Sequence, residues 1–447
     1  MLETLKNALR NKDIRKKLLM TLLILFVFRL GCYIPVPGLL RGTFEEAITG
    51  NDFLQLMSGI TGNALANGTL FALGVGPYIN ASIIIQLLTV GIPYLENLSK
   101  QGEEGRKKLT FFTRVLTIIL AVIQSIGIIV NFALNANTNM DIAGAVGAIQ
   151  ANLFFDQAWL AGIYMTVVYT AGCLIVMWLG DRITEYGIGN GISMIILAGI
   201  LSTGGISIWD EIVAIFTDDA IHLLNVGLFI VLAVIIFFAI VYVDLAERKI
   251  HVQYAKQVRG TKMYGGQSSD IPMKITGSGV MPLIFAFAII SFPSMIISLF
   301  VPASNPAHQG LQEWFSGSSP YWYGQVIYSV ALCLLIFGFA FFYASMEFNP
   351  DDVSKQIQSN GGFIQGIRPG KPTAAYLRKI NRRITLFGAI FLTLVSFVPS
   401  VLFSWAGQNL VNVFSTTGIL IVVSVALEFD KQLQSQIMMK NYKGFLK

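Results

Sequence analysis

The lysines and arginines of this chain are sorted to one side. Ten mostly apolar runs divide the sequence, near Leu18–Ile34, Leu70–Ile92, Phe111–Val130, Leu160–Leu179, Ile188–Ile206, Val226–Val243, Val280–Phe300, Tyr323–Ala344, Ile384–Trp405 and Leu410–Leu427. Each approaches the roughly 20 residues that a helix needs to cross a bilayer. If the runs cross alternately, 29 of the 31 Lys and Arg residues fall on one face; Arg41 falls on the other and Arg29 lies inside the first run. Cations accumulate on the cytoplasmic side of membrane proteins, so both termini are expected in the cytoplasm. The pattern predicts an all-α polytopic membrane protein with ten spans.

Composition agrees. Charged residues make up 13% of the 447 residues and hydrophobic residues 54%, whereas a soluble chain carries about 25% charged residues. The net charge of +6 is therefore read as topogenic, not as a nucleic-acid footprint. Cys32, Cys173 and Cys333 stand singly in apolar runs and read as small packing residues. The first run has no small-residue cleavage site after it, so it is expected to stay as a span.

Two cytoplasmic loops, 244–274 and 346–383, are longer than neighbouring spans require, and loops of that length are usually functional or disordered. The first carries Arg248, Lys256 and Arg259, and the second Arg368 and Lys371. Gly366, Pro369 and Gly370 surround Arg368 with residues that fix a turn and hold the guanidinium in place. Such surfaces suit acidic or phosphate-bearing partners, ribosomal RNA among them.

Gly74-Val75-Gly76-Pro77-Tyr78-Ile79 in the second run is matched by Gly279-Val280-Met281-Pro282-Leu283-Ile284 in the seventh. Runs five apart cross in opposite directions, so the pair marks an inverted repeat of two five-helix halves, residues 1–210 and 211–447. Proline-interrupted helices at equivalent places in such halves point to the substrate path. Ahead of the second run, Phe53, Leu54, Leu56, Met57, Ile60 and Leu65 alternate with Gly59, Gly62 and Gly68. This external segment is too short to span. It is either a re-entrant piece lining a cavity or a helix lying in the interface.

Pumps and transporters bind ions or relay protons through ionisable groups inside the bilayer. Here the spans hold Arg29, with Arg114 at an edge, and no histidine at a span centre. Arg29 costs about 2.5–3.5 kcal/mol at a helix centre, so it is expected to face the bundle and donate to backbone carbonyls. No Ser–His or paired-Asp arrangement suggests an enzyme, no ligand cluster suggests a metal, and no cofactor is expected. Residues 366–373 lack P-loop spacing. What the interior does offer is aliphatic pairs one helical turn apart, Val75 with Ile79 and Ile196 with Ile200. A secondary transporter, the alternative with inverted repeats, would need a mid-depth ionisable cluster.

Two long segments of mixed polarity, Thr69–Leu88 and Trp178–Ser193, resemble the SecY family of protein-translocation channels, as do Gly366–Gly370 and Ile34–Gly38. The resemblance runs from about Arg15 to the C-terminal tail. It implies an hourglass pore between the two halves, narrowed by a ring of Val75, Ile79, Ile196, Ile200, Ile284 and Ile421. It implies an external plug at about 58–69, carrying Ser58, Gly59, Ile60, Gly62 and Leu65, and a lateral gate between the second and seventh spans. It also implies docking of a ribosome or the SecA motor ATPase through Arg248, Lys256, Arg259, Arg368 and Lys371. Small membrane subunits SecE and SecG, signal sequences, nascent polypeptides and the bilayer complete the implied partners.

Overall fold

The computed structural model describes residues 8–37, 58–59, 61–135, 158–217, 220–254, 257–259, 262–264, 268–275, 281–300, 322–406 and 416–445. Arg41, Phe53, Leu54, Leu56, Met57, Ile60 and Lys256 lie outside the described residues. The helices are α1 (Lys12–Gly31), α2 (Gly76–Gly91), α3 (Pro93–Lys100), α4 (Gly102–Asn135), α5 (Ala158–Tyr186), α6 (Gly191–Thr217) and α7 (Ala220–Leu245). They continue with α8 (Met281–Phe300), α9 (Trp322–Glu347), α10 (Pro350–Ser359), α11 (Lys371–Ala406) and α12 (Thr416–Phe445).

Every apolar run expected from the sequence overlaps one of these helices. Four described helical stretches are long and apolar enough to cross a bilayer, and the bent pair α2–α3 makes a fifth if counted as one broken span; three more apolar stretches are shorter. Side chains that would face lipid are apolar and exposed, as with Leu22, Phe26, Phe238 and Leu334.

The chain folds into two compact units. One is drawn from Met1–Thr217, Ala288–Tyr328 and Val425–Lys447, the other from Asp218–Phe287 and Ser329–Ser424. In the first, the start of α1 packs against α12. Ala8 and Ile14 bury against Ile188 and Leu433, and the Lys17 ammonium donates to Gln436 Oε1 at 3.4 Å. The turn between α5 and α6 joins them, because the Ile188 N–H donates to Thr21 Oγ1 at 3.2 Å. The start of α1 and the later turns of α12 therefore pack together in this unit. The edge cation Arg114 pairs with Asp181 of α5 at 2.7 Å.

The second unit corrects the all-α expectation. Loop 244–274 contains β1 (Glu247–Tyr254), β2 (Gln257–Arg259), β3 (Lys262–Tyr264) and β4 (Ser268–Lys274), and loop 346–383 supplies β5 (Gly362–Ile364). β1 lies between β4 and β5, antiparallel to both, with Ile250 opposite Ile271 and Val252 opposite Ile364. The cause is a period of two. Lys249 and His251 are exposed while Ile250 and Val252 are buried, which puts one face of the sheet on an apolar core. Ile250, Val252, Met273, Ile357, Ile364, Leu377 and Ile380 form that core, so α10 and the first turns of α11 cap the sheet. On the exposed face His251 pairs with Asp270.

Loop 346–383 is correspondingly shorter than its sequence suggests, because α10 occupies its beginning and α11 starts at Lys371. Leu377 is fully buried beneath the sheet. Leu377→Ala is expected to cost this small domain about 2–5 kcal/mol. Hydrogen exchange should show this as faster exchange in β1, β4 and β5 with no change in α4 or α5.

Candidate functional site

The second expected span departs most from its prediction. Residues 70–75 are turns, not helix, with Ala72 N–H bonded to Thr69 O, Gly74 to Phe71 O and Gly76 to Leu73 O. α2 starts at Gly76 with Pro77 in its first turn, where a missing N–H removes no helical bond. Pro77 therefore begins a helix where an interruption was expected. The matching Pro282 lies in α8, next to residues outside those described, and Pro293 lies inside that helix. Sixteen residues make α2 about 24 Å long, and beyond Gly91 the axis turns by 101° into α3.

The external glycine-rich segment is folded back into the first unit. Ser58, Thr61, Ala64, Leu65 and Thr69 are all at most 4% exposed, so the described part of the segment is packed into the protein. The segment satisfies its own polar groups locally: Thr61 Oγ1 donates to Ser58 O at 3.2 Å, and Thr69 Oγ1 to Ala64 O at 3.0 Å. Its far end is stitched to the chain leaving α1, through Val36 N–H to Gly68 O and Leu70 N–H to Ile34 O, both 3.0 Å. Pro35 and Thr69 form the bridge between them.

Two side chains from neighbouring helices reach its backbone. Arg29 Nη1 of α1 donates to Gly62 O at 3.0 Å, and Thr203 Oγ1 of α6 donates to Gly59 O at 3.2 Å. Arg29 thus finds a carbonyl partner, as its position within a span demanded. Gly62 has φ +70°, and a Cβ there would collide with the Arg29 guanidinium and come within 3.3 Å of Gly199 Cα. Only glycine fits at that point without strain.

The contacts on α6 bear on the aliphatic residues. Ile196, Gly199, Ile200 and Thr203 follow helical spacing and lie on one face. The segment touches Gly199 and Thr203, so it rests on the face that carries Ile196 and Ile200. Ile196 and Ile200 are 5% and 9% exposed. Val75 is buried at the N-cap of α2, with Ile79 half-buried one turn further along. Ile284, half-buried near the start of α8, and the buried Ile421 of α12 belong to the second unit.

Two of the basic positions, Arg248 and Arg368, lie on the three-stranded sheet or the turn beside it. Arg248 is exposed on β1, and Arg368 is exposed on the turn that follows β5, β1's neighbour. Gly366 and Gly370 both take left-handed φ, +81° and +93°. Thr373 Oγ1 donates to Arg368 O at 2.8 Å and Ser354 Oγ to Gly370 O at 2.7 Å. The turn around Arg368 is therefore fixed from both sides by buried hydroxyls. Beside it an open groove of about 560 Å³ is lined by Gln358, Phe363, Ile367 and Arg368. Lys371 is exposed at the start of α11, and Arg259 ends β2. Among the described residues no three His, Cys, Asp or Glu side chains gather to hold a metal ion.

Comparison with known proteins places these features in one family. The SecY family model matches residues 69–429. The chain is 38% identical over 453 residues to the protein translocase subunit SecY of Streptomyces galbus and 39% identical over 451 residues to that of Streptomyces coelicolor, with all of each chain covered. The SecY of Mycobacterium tuberculosis is 38% identical over 459 residues, again end to end. Among solved structures, a protein-conducting channel superposes with a TM-score of 0.64 at 20% identity, covering 94% of this chain and 92% of the other. Sec61 from a canine ribosome–channel complex superposes with a TM-score of 0.61 at 18% identity, with the same coverage. At those identities the structures establish a shared fold, and the full-length sequence matches establish descent: the chain belongs to the SecY family.

Proposed function

We propose that this protein is the channel-forming subunit of the protein translocase, a passive conduit through which unfolded polypeptides cross a cell membrane and apolar segments leave sideways into lipid. The observation that carries the reading is the buried segment around Gly62, seated on the face of α6 that bears Ile196 and Ile200. A segment so placed acts as a plug over an aliphatic constriction. The constriction comprises Val75, Ile79, Ile196, Ile200, Ile284 and Ile421, supplied by two inverted halves, 1–210 and 211–447, of a ten-span protein with both termini in the cytoplasm. Flexible aliphatic side chains close around a chain of any sequence without gripping it, and when idle they exclude ions by contact and dewetting.

Energy comes from a partner. Solved relatives include a canine channel complexed with a ribosome and an idle yeast Ssh1 complex on the 80S ribosome. The exposed Arg248 and Arg368 on one sheet domain suit such a docking surface here, for the ribosome or for the motor ATPase SecA. Lys256, Arg259 and Lys371 extend it, and SecE and SecG serve as the small membrane subunits.

Reconstitution tests the reading. Vesicles containing this chain and its small subunits should import an unfolded preprotein when supplied with the motor ATPase and ATP, and should remain tight to ions before it is added. Coupled uptake of a small solute without a polypeptide would replace the channel with a transporter.

A further inference from the structure

We propose that Arg29 is the plug's latch, and that Tyr33 is the partner to which the guanidinium retreats when the plug leaves. The inference rests on the channel reading and goes beyond it by assigning the closing force to a named group.

Arg29 stands half-buried in the last turn of α1, and its tie to the plug is the 3.0 Å bond to Gly62 O. A charge-assisted hydrogen bond from a half-buried guanidinium is stronger than one between neutral groups. The plug and its neighbours are shaped for this contact. Gly62 and Asn63 both adopt left-handed φ, +70° and +64°, which shapes the backbone at the contact. The absence of a Cβ at Gly62 leaves room for the guanidinium, and Gly199 lets the plug approach α6. Thr203 adds a second, neutral donor at Gly59 O.

A latch must also let go. Tyr33 is one turn further along the chain, with its hydroxyl 3.3 Å from Arg29 Nη2 and its ring centroid 4.9 Å from the guanidinium carbon. Both contacts lie at the end of α1 and do not involve the plug. With the plug seated the guanidinium has both Gly62 O and Tyr33; once Gly62 moves away the hydrogen bond and cation–π contact to Tyr33 take over, so they count for more in the open state than in the closed one. Removing the two side chains, Arg29 and Tyr33, therefore has opposite consequences. Loss of Arg29 loosens the closed state, whereas loss of Tyr33 makes the closed state harder to leave.

The test is resting ion conductance and preprotein import by the reconstituted full-length channel. Arg29→Met keeps the length and removes the donor. Its open fraction at rest should rise about tenfold, the equivalent of about 1.4 kcal/mol for one charge-assisted bond. Arg29→Lys keeps a cation and should recover much of the seal. Tyr33→Leu should stay tight and import more slowly than the parent. In a background with Cys32, Cys173 and Cys333 replaced by alanine, Gly59→Cys with Thr203→Cys ties the plug to α6, and oxidation should abolish the Arg29→Met leak. The latch is overturned if Arg29→Met is as tight as the parent, if its leak survives the oxidised tether, or if Tyr33→Leu leaks as Arg29→Met does. Should Arg29→Met fold poorly, Gly62→Ala attacks the same bond from the plug side and must leak. A parent channel that imports no preprotein removes the channel reading itself, and the latch falls with it.

Discussion

Ile196→Asn combined with Ile200→Asn turns a sealed resting channel into one that conducts ions continuously. Both side chains are almost completely buried, on the face of α6 against which the proposed plug rests. A dry constriction persists because wetting an isoleucine costs about 1.5–3 kcal/mol. Replacing two of them with amides removes that cost and gives water hydrogen-bonding partners. The wet population should therefore rise at least about a hundredfold, measured as single-channel activity in planar bilayers with no preprotein present. Ile196→Val with Ile200→Val retains an apolar surface and should leave the seal intact. Asparagine variants that conduct no more than the parent would move the barrier elsewhere. Ile284→Asn should leak in the same way if α8 contributes to the constriction.

The second large effect is expected at Arg368. Arg368→Glu should slow motor-driven import at least about thirtyfold, because on the proposed docking role it reverses a charge that pairs with the partner, at about 2 kcal/mol or more. Membrane insertion and folding of the channel should be unchanged. The fold supports this separation: Arg368 is exposed, and the turn that carries it is held through its backbone by Thr373 and Ser354 and not through the guanidinium. Arg368→Lys keeps the charge without the planar fork and should fall between the two. Import at the parental rate by the glutamate variant would leave Arg368 as a topogenic charge and nothing more.

The sequence discloses these features unevenly, for physical reasons. Apolar runs and charge sidedness are properties of composition over about 20 residues, so they locate the helices from the amino-acid order alone. Hydropathy cannot separate an apolar turn from an apolar helix, which is why Leu70–Val75 reads as span although α2 begins at Gly76. The small sheet escapes a reading of the two loops by charge. The alternation of Lys249, Ile250, His251 and Val252 is the period-two signal that identifies β1, whereas β5 is only three residues long and depends on β1 to exist.

Arg29 needs a carbonyl on energetic grounds, but the choice of Gly62, 33 residues away, follows from tertiary packing that no local pattern encodes. The Ile196–Ile200 face is legible from spacing. Its contact with the plug is not, because that contact runs through Gly199 and Thr203, which no hydrophobic pattern selects.

The central claim is that a translocating chain passes over these aliphatic side chains. A photoreactive amino acid placed singly at 79, 196 or 284, with a preprotein arrested midway, tests it directly. Each position should crosslink to the arrested chain whatever its sequence, and a probe at Phe26, 64% exposed on α1, should not. Crosslinks from 79 and 196 to lipid alone, or equal capture of the chain from position 26, would contradict the account.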